Sequence, residues 1–379
     1  MQVPHSHIPY GKEGSGFYTD NTIGCFNVID AATPMVLNAL GNVPVKDLES
    51  PFIIADFGTA DGGTSMFLLK KMIELLRKKH GKDLPVQVVY EDQPVNDFKS
   101  LFFRVHGLLS YGPPSYVQEF DNVYVLASGT SFYSQCLPPG SLHFGMSFTA
   151  MHWLTTRPGK VTGALHHTDI TDLTEKALFQ AQAAKDWETI LLARAKELKS
   201  GGRMVVVCFC VDKEGQYLGN TKYIKEHMFH NFNKYWKEMV TEGEITQEEF
   251  DNTNFNNYYR TIEEYSAPFN DHDSAVSKAG MKLVTIETKV VRCPYNERWV
   301  REGKKDDPEA AAKHAKWYIP TLRTWSNSTF LSGLDSSRSE EEKAAIVDKF
   351  FMKYERAVAS APEDHGMDYV HAYIDIERN

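Results

Sequence analysis

The stretch Pro51–Gly58, PFIIADFG, is a short apolar run bounded by Pro and Gly, and it reads as a buried strand. TADGGTS follows over 59–65 as a loop with two adjacent glycines. Next comes MFLLKKMIELLRKKHGK, 66–82, with apolar residues Phe67, Leu68, Met72, Leu75 and Leu76 at helical spacing. It closes in Lys, Arg and His before Gly81, a normal helix stop. A strand, a glycine loop and a helix open an α/β unit. Further strands are expected at Gln87–Asp92, Asn122–Gly129, Ser141–Phe148 and Arg203–Val211, with a helix over Leu173–Ser200 and a pair of strand segments in Lys282–Arg292. Strands alternating with helices predict a mostly parallel sheet covered on both faces, with ligands bound beyond the carboxyl ends of its strands.

Residues 212–275 and roughly 300–345 break this rhythm. The first is helical and aromatic, then acidic and Asn-rich; the second holds WYIPTLRTW and a charged run. Both read as insertions that cap the strand ends. SRSEEEKAAIVDKFFMKYERAV is a helix that opens with acidic residues, as the helix dipole prefers.

The 379 residues carry 41 Lys+Arg against 50 Asp+Glu, a formal net charge of −9, which argues against a phosphate-tracking nucleic-acid binder. No stretch approaches the ~18 apolar residues of a membrane span. MQVPHSHIPYGKEGSG has no apolar signal core, and DIERN matches no retention or lipidation signal. The five cysteines, Cys25, Cys136, Cys208, Cys210 and Cys293, are too scattered for a disulfide framework and fit a reducing cytosol. Cys208 and Cys210 share one face of a strand and read as small buried hydrophobes.

The loop Gly58-Thr-Ala-Asp-Gly62-Gly63 is neither G-x-G-x-x-G nor a Walker loop. Gly58 still lets backbone approach a ligand closely. Asp56 at the first strand's end can pair with an amino group, and Asp92 at the second can accept both hydroxyls of a ribose. An amine partner, a diol partner and no phosphate cradle describe S-adenosylmethionine better than a dinucleotide. Both acids also have an ordinary reading as strand-end turn formers.

The order GFYTDNT, IADFGTADGGTS, YEDQPVNDF, GTSFYSQCLPPGSLHFGMSFTAMHWLTTRP, KELKSGGRMVV resembles the SABATH methyltransferases, from about Gly11 to the last helix. These are the salicylic, jasmonic and benzoic acid carboxyl methyltransferases and the caffeine-pathway N-methyltransferases. The resemblance implies a Rossmann-like, S-adenosylmethionine-dependent core with a mostly parallel seven-stranded sheet over 1–211 and 276–299, including an N-terminal lid. It implies a helical cap over 212–275 and 300–345, and a C-terminal helix and strand over 346–379. It also implies a homodimer; the cytoplasmic expectation comes from the scattered cysteines and the lack of an apolar signal core.

For the cofactor, the resemblance places Asp56 at its methionine end and Asp92 at its ribose, with Gln93 beside Asp92. Ser131 and Phe132 flank the adenine, Tyr18 and Thr22 close over the cofactor, and Thr64 falls where the motif loop usually carries Asn. For the substrate, Trp153 holds the carboxylate through its indole N–H, with His152 beside it. Cys25 stands where acid-using members often carry Gln, and a thiol is a weak donor. Thr149 stands where a pocket tyrosine is common.

The resemblance implies methyl transfer to a small-molecule carboxylic acid. A carboxylate is already ionised at pH 7, so no general base is required. N-methylation of a heterocycle, with His152 as proton acceptor, and ligand binding without turnover are the alternatives. No metal site is expected. Magnesium is possible near Asn254-Phe255-Asn256 but not predicted, and His166, His167, His227 and His230 read as surface histidines.

Overall fold

The computed structural model describes residues 9–302 and 307–379. A short helix, α1 (Phe17–Asn21), and a 19-residue helix, α2 (Ile23–Gly41), lead into the sheet. The strands are β1 (Phe52–Phe57), β2 (Val86–Glu91), β3 (Val123–Ser128), β4 (Leu142–Phe148), β5 (Leu198–Phe209), β6 (Met281–Val291) and β7 (Tyr369–Arg378). Their order is β3-β2-β1-β4-β5-β7-β6. The first five are mutually parallel; β7 inserts antiparallel between β5 and β6. Burial on both faces explains why β1, β4 and β5 are near-continuous apolar runs rather than alternating ones.

α3 (Met66–His80), α4 (Phe98–Val105) and α5 (Leu173–Glu197) are the crossover helices. α2 and α3 join the core on one face of the sheet. α5, α8 (Ile262–Asn270) and α9 (Ala275–Lys278) pack on the other. Gly81, at φ 94, ends α3 and donates its N–H to the Arg77 carbonyl. The buried stripe of α3 runs through Leu68, Leu69, Met72, Ile73 and Leu76, whereas Phe67 is 49% exposed. Its expected inward place is therefore corrected.

The second insertion is continuous with the C-terminus. α6 (Met228–Thr241), α7 (Gln247–Asn252), α10 (Pro294–Glu302), α11 (Pro308–Gly333) and α12 (Glu340–Ser360) form a helical layer. Phe229, Phe232, Trp236, Phe255, Trp325, Phe330 and Phe350 stack at its centre. A capping box at Ser339 starts α12, within the stretch from Ser337 read as a helix that opens with acidic residues.

Two further expectations change. Lys282–Arg292 is one strand, not a pair; its register shifts between Leu283 and Thr285. Ile23–Gly41 is, by length and composition, apolar enough to cross a membrane. Asn27, Asp30, Pro34 and Asn38 interrupt its pattern, and Val28, Ile29, Ala32, Val36, Ala39 and Leu40 are buried in the core.

The N-terminal segment is latched to the first loop. Asp61 accepts from the Thr19 backbone N–H at 3.1 Å and from the Thr19 hydroxyl. Arg104, 1% exposed, donates to Asp61, to Asp20 and to the Gly16 and Tyr111 carbonyls. A Cβ on Gly63 would lie 2.3 Å from the Thr19 hydroxyl, so only glycine permits the approach. Asp61→Ala leaves this buried guanidinium partly uncompensated, and a loss of ~3 kcal/mol is expected. Limited proteolysis within residues 9–22 should accelerate in that variant while the rest of the chain stays protected. Unchanged digestion there would show that the segment is held elsewhere.

Candidate functional site

A cavity of about 910 Å³ of empty space, its mouth included, opens beyond the carboxyl ends of β1, β2, β4 and β5. That is where an α/β sheet presents its loops. Its first wall is the loop after β1. Gly58 at φ 74 and Ala60 at φ 50 turn the chain sharply. The N–H groups of Gly58 and Thr59 donate to the Glu91 carbonyl, and that of Ala60 donates to the Asp92 carboxylate at 2.7 Å. A Cβ on Gly58 would lie 2.3 Å from the Ala150 Cβ, so glycine is required for the two loops to meet.

Asp92 lines the cavity. Its two oxygens accept from Ala60 and Gln93, which leaves lone pairs for a ligand. Its exposed surface opens into the cavity, and burial pushes its carboxyl up to about 6. Gln93, Ser131 and Phe132 line the same wall, with Tyr133 tilted against Phe132. The buried Arg194–Glu197 pair shapes that turn. Arg194 donates to the Phe132 and Ser134 carbonyls at 2.8 Å, and Glu197 accepts from the backbone of Cys136 and Leu137.

The opposite wall is Thr149, Ala150, His152 and Trp153 after β4, with Phe209 at the end of β5. The Leu154 N–H donates to the Asn256 carbonyl and the Tyr258 N–H to the His152 carbonyl, both at 2.9 Å. Arg260 donates to the Met151 carbonyl at 3.0 Å. The insertion therefore stitches the His152–Trp153 segment in place. His152 is 2% exposed; its ring packs against Trp153, Phe209 and Tyr259, and its Nδ1 lies 3.7 Å from the Cys208 sulfur.

Tyr18, Thr22 and Cys25 close the cavity from the N-terminal side, and Trp325, Met367 and Tyr369 from the C-terminal half. Burial pushes the Cys25 thiol up to about 11 and the Tyr18 phenol well above its ordinary value, so both are neutral at pH 7. Gly24 lets Tyr369 in: a Cβ there would lie 2.4 Å from the phenol oxygen. Among the described lining residues, Asp92 is the one carboxylate, and none is Lys or Arg.

Two expected cofactor residues lie off the wall. Asp56, 3% exposed, accepts from Ser65 at 2.6 Å and Thr59 at 3.3 Å, so it braces the loop from behind. Thr64 faces a groove with Phe26, Phe67 and Lys71, because the glycine turn carries it to the far side. Asn254 and Asn256 are buried: the Asn254 side-chain oxygen accepts from the Val161 N–H, and the Asn256 amide donates to the Leu154 carbonyl. Among the described residues no group of three or more His, Cys, Asp or Glu could hold a metal ion. His166 and His167 are buried rather than on the surface. His166 stacks on Phe229 at 3.6 Å, and His167 accepts from the Tyr259 N–H.

Sequence reasoning missed Tyr133, Ala150, Phe209, Trp325, Met367 and Tyr369 on the wall. Phe209 was findable, since it ends a parallel strand. Trp325 and Tyr369 arrive from distant segments with no local signal.

A family described as SAM dependent carboxyl methyltransferase matches residues 5–379. Loganic acid O-methyltransferase of Catharanthus roseus is 29% identical over 279 residues, 68% of this chain and 71% of that protein. A benzoic acid/salicylic acid carboxyl methyltransferase of Petunia hybrida is 26% identical over 255 residues, 65% of this chain and 70% of that one. A solved structure described as loganic acid methyltransferase with SAH covers 98% of both chains at 19% identity and TM-score 0.69, which shows a shared fold. The chain belongs to the S-adenosylmethionine-dependent carboxyl methyltransferases, the SABATH enzymes.

Proposed function

We propose that this enzyme esterifies the carboxylate of a small, mostly apolar, singly charged acid within this one cavity. The observation that carries the reading is the wall's asymmetry. One end has Asp92, glycine-loop backbone and Phe132. The other has Thr149, His152 and Trp153 among Phe209, Trp325, Met367 and Tyr369. The first end suits S-adenosylmethionine: the Asp92 lone pairs can accept from a ribose diol, and Phe132 offers a ring for adenine to stack on. When bound, S-adenosylmethionine supplies a methyl group on a positively charged sulfur and leaves as a neutral sulfide.

The chain's own residues then have three tasks. They hold the acid, aim one carboxylate oxygen and exclude water. No base is needed, because the carboxylate is ionised near neutral pH. Trp153 brings an indole N–H and Thr149 a hydroxyl to the wall; hydrogen bonds to a charged acceptor contribute about 1.5–3 kcal/mol each. The neutral Cys25 thiol adds little. A second charge on the substrate would be desolvated against Phe209, Trp325 and Met367 without a partner, so dianionic acids are disfavoured. The five cysteines, none in a disulfide, support work in a reducing compartment.

Four outcomes are expected. Labelled S-adenosylmethionine should yield extractable label from a pool of benzoates, indole acids, fatty acids and terpenoid acids, and alkali should release it as methanol. Alkali-stable label from a separate xanthine pool alone would replace this reading with N-methylation. Trp153→Phe should lower kcat/KM for the acid roughly 10- to 100-fold while cofactor affinity, read by calorimetry, stays constant. Asp92→Asn should weaken cofactor binding by a similar factor. In the unaltered enzyme that affinity should fall as pH drops through about 6, because protonation removes the acceptor. Asp92→Asn should flatten this dependence, and a wild-type affinity constant from pH 5 to 8 would remove Asp92 from the cofactor site.

A further inference from the structure

Three described residues other than glycine have positive φ, and two of them, Ala60 and Thr149, line the cavity. Thr149, at φ 59, is β-branched, a type for which this conformation is a true outlier. Strain of this kind persists only where its surroundings impose it. Here the Thr149 N–H continues the ladder to the Val207 carbonyl at 2.7 Å. Its hydroxyl lies 3.0 Å from Nε2 of His371 on β7. His371 is fully buried, stacked on Phe209 at 4.4 Å, and opposite it in the β5–β7 register.

The other ring nitrogen, Nδ1, is buried with no hydrogen-bond partner. A buried bare lone pair is better tolerated than a buried bare N–H. The proton therefore belongs on Nε2, and it points at the Thr149 oxygen. Burial also holds the ring neutral at pH 7 by pushing it down to about 3. A hydroxyl that accepts from Nε2–H has its own hydrogen to give elsewhere.

We infer that His371 is a positioning residue: its Nε2–H fixes the Thr149 hydroxyl as a donor into the cavity, where it grips the substrate carboxylate. This supplies the donor that Cys25 cannot. The inference rests on the carboxylate reading above. The strain at Thr149 then has a role, since the left-handed turn keeps its hydroxyl both on the cavity wall and within reach of β7.

The test has two arms. In protein labelled with ¹⁵N-histidine and saturated with S-adenosylhomocysteine, the His371 signals are assigned by their loss in His371→Gln. At neutral pH they should report Nε2 protonated and Nδ1 bare; an Nδ1–H tautomer or a charged ring overturns the inference. This arm needs no substrate, and the one core variant it needs to fold is His371→Gln, used only for the assignment.

In the second arm, His371→Leu and Thr149→Val should each lower kcat/KM for the acid roughly 10- to 100-fold, chiefly through KM, with cofactor affinity unchanged. The double variant should be no worse than either single one. His371→Gln, whose amide N–H can reach the same oxygen, should recover to within several-fold. If His371→Leu costs as much in the Thr149→Val background as alone, the role is structural packing and the inference fails, though methyl transfer stands. If no acid in the pool is methylated, the carboxylate reading fails by itself, and the tautomer decides the direction of the Thr149–His371 bond.

Discussion

A carboxylate enclosed among aromatic rings must have its charge met by something, and among the described residues no Lys or Arg lines this cavity. Oriented neutral donors are what the protein brings. That constraint explains why the wall opposite Asp92 combines Thr149, His152 and Trp153 with otherwise apolar side chains. It also explains why the segment carrying them is so firmly held. Backbone bonds from Leu154 and Tyr258 pin it to the insertion, and Arg260 of that insertion adds a bond to its Met151 carbonyl. A donor aimed at an anion contributes only as much as its direction is fixed in advance.

The remaining walls come from the ends of the chain. Asp61 and Arg104 latch the N-terminal segment so that Tyr18, Thr22 and Cys25 reach the cavity. β7, near the C-terminus, enters the sheet antiparallel beside β5 and brings Tyr369 to the wall and His371 behind it. Trp325 ties the aromatic centre of the helical layer to the same space. Changes in the apolar half therefore alter which acid fits without touching the loop that holds Asp92.

The parallel core was legible because buried strands such as PFIIADFG leave continuous apolar runs and end in glycine. The ordered motif blocks named the family, which the match over residues 5–379 shows. Side-chain direction was not legible. Asp56 and Asp92 look alike as strand-end acids, yet Ser65 and Thr59 draw Asp56 behind the loop while Asp92 faces the cavity. Thr64 turns away because two glycines precede it. α2 escaped notice because polar residues break its pattern. Tyr369 and His371 depend on strand order, and no local pattern announces that β7 sits beside β5.

The most direct measurement is a crystal structure with S-adenosylhomocysteine and the acid that the labelled pool identifies. The account predicts the carboxylate between the Trp153 indole N–H and the Thr149 hydroxyl, with no protein cation within 4 Å, the outer limit of an ion pair. The acid's apolar part should rest against Phe209, Trp325 and Met367. A carboxylate paired with a Lys or Arg drawn into the cavity, or held at the Asp92 end, would contradict it.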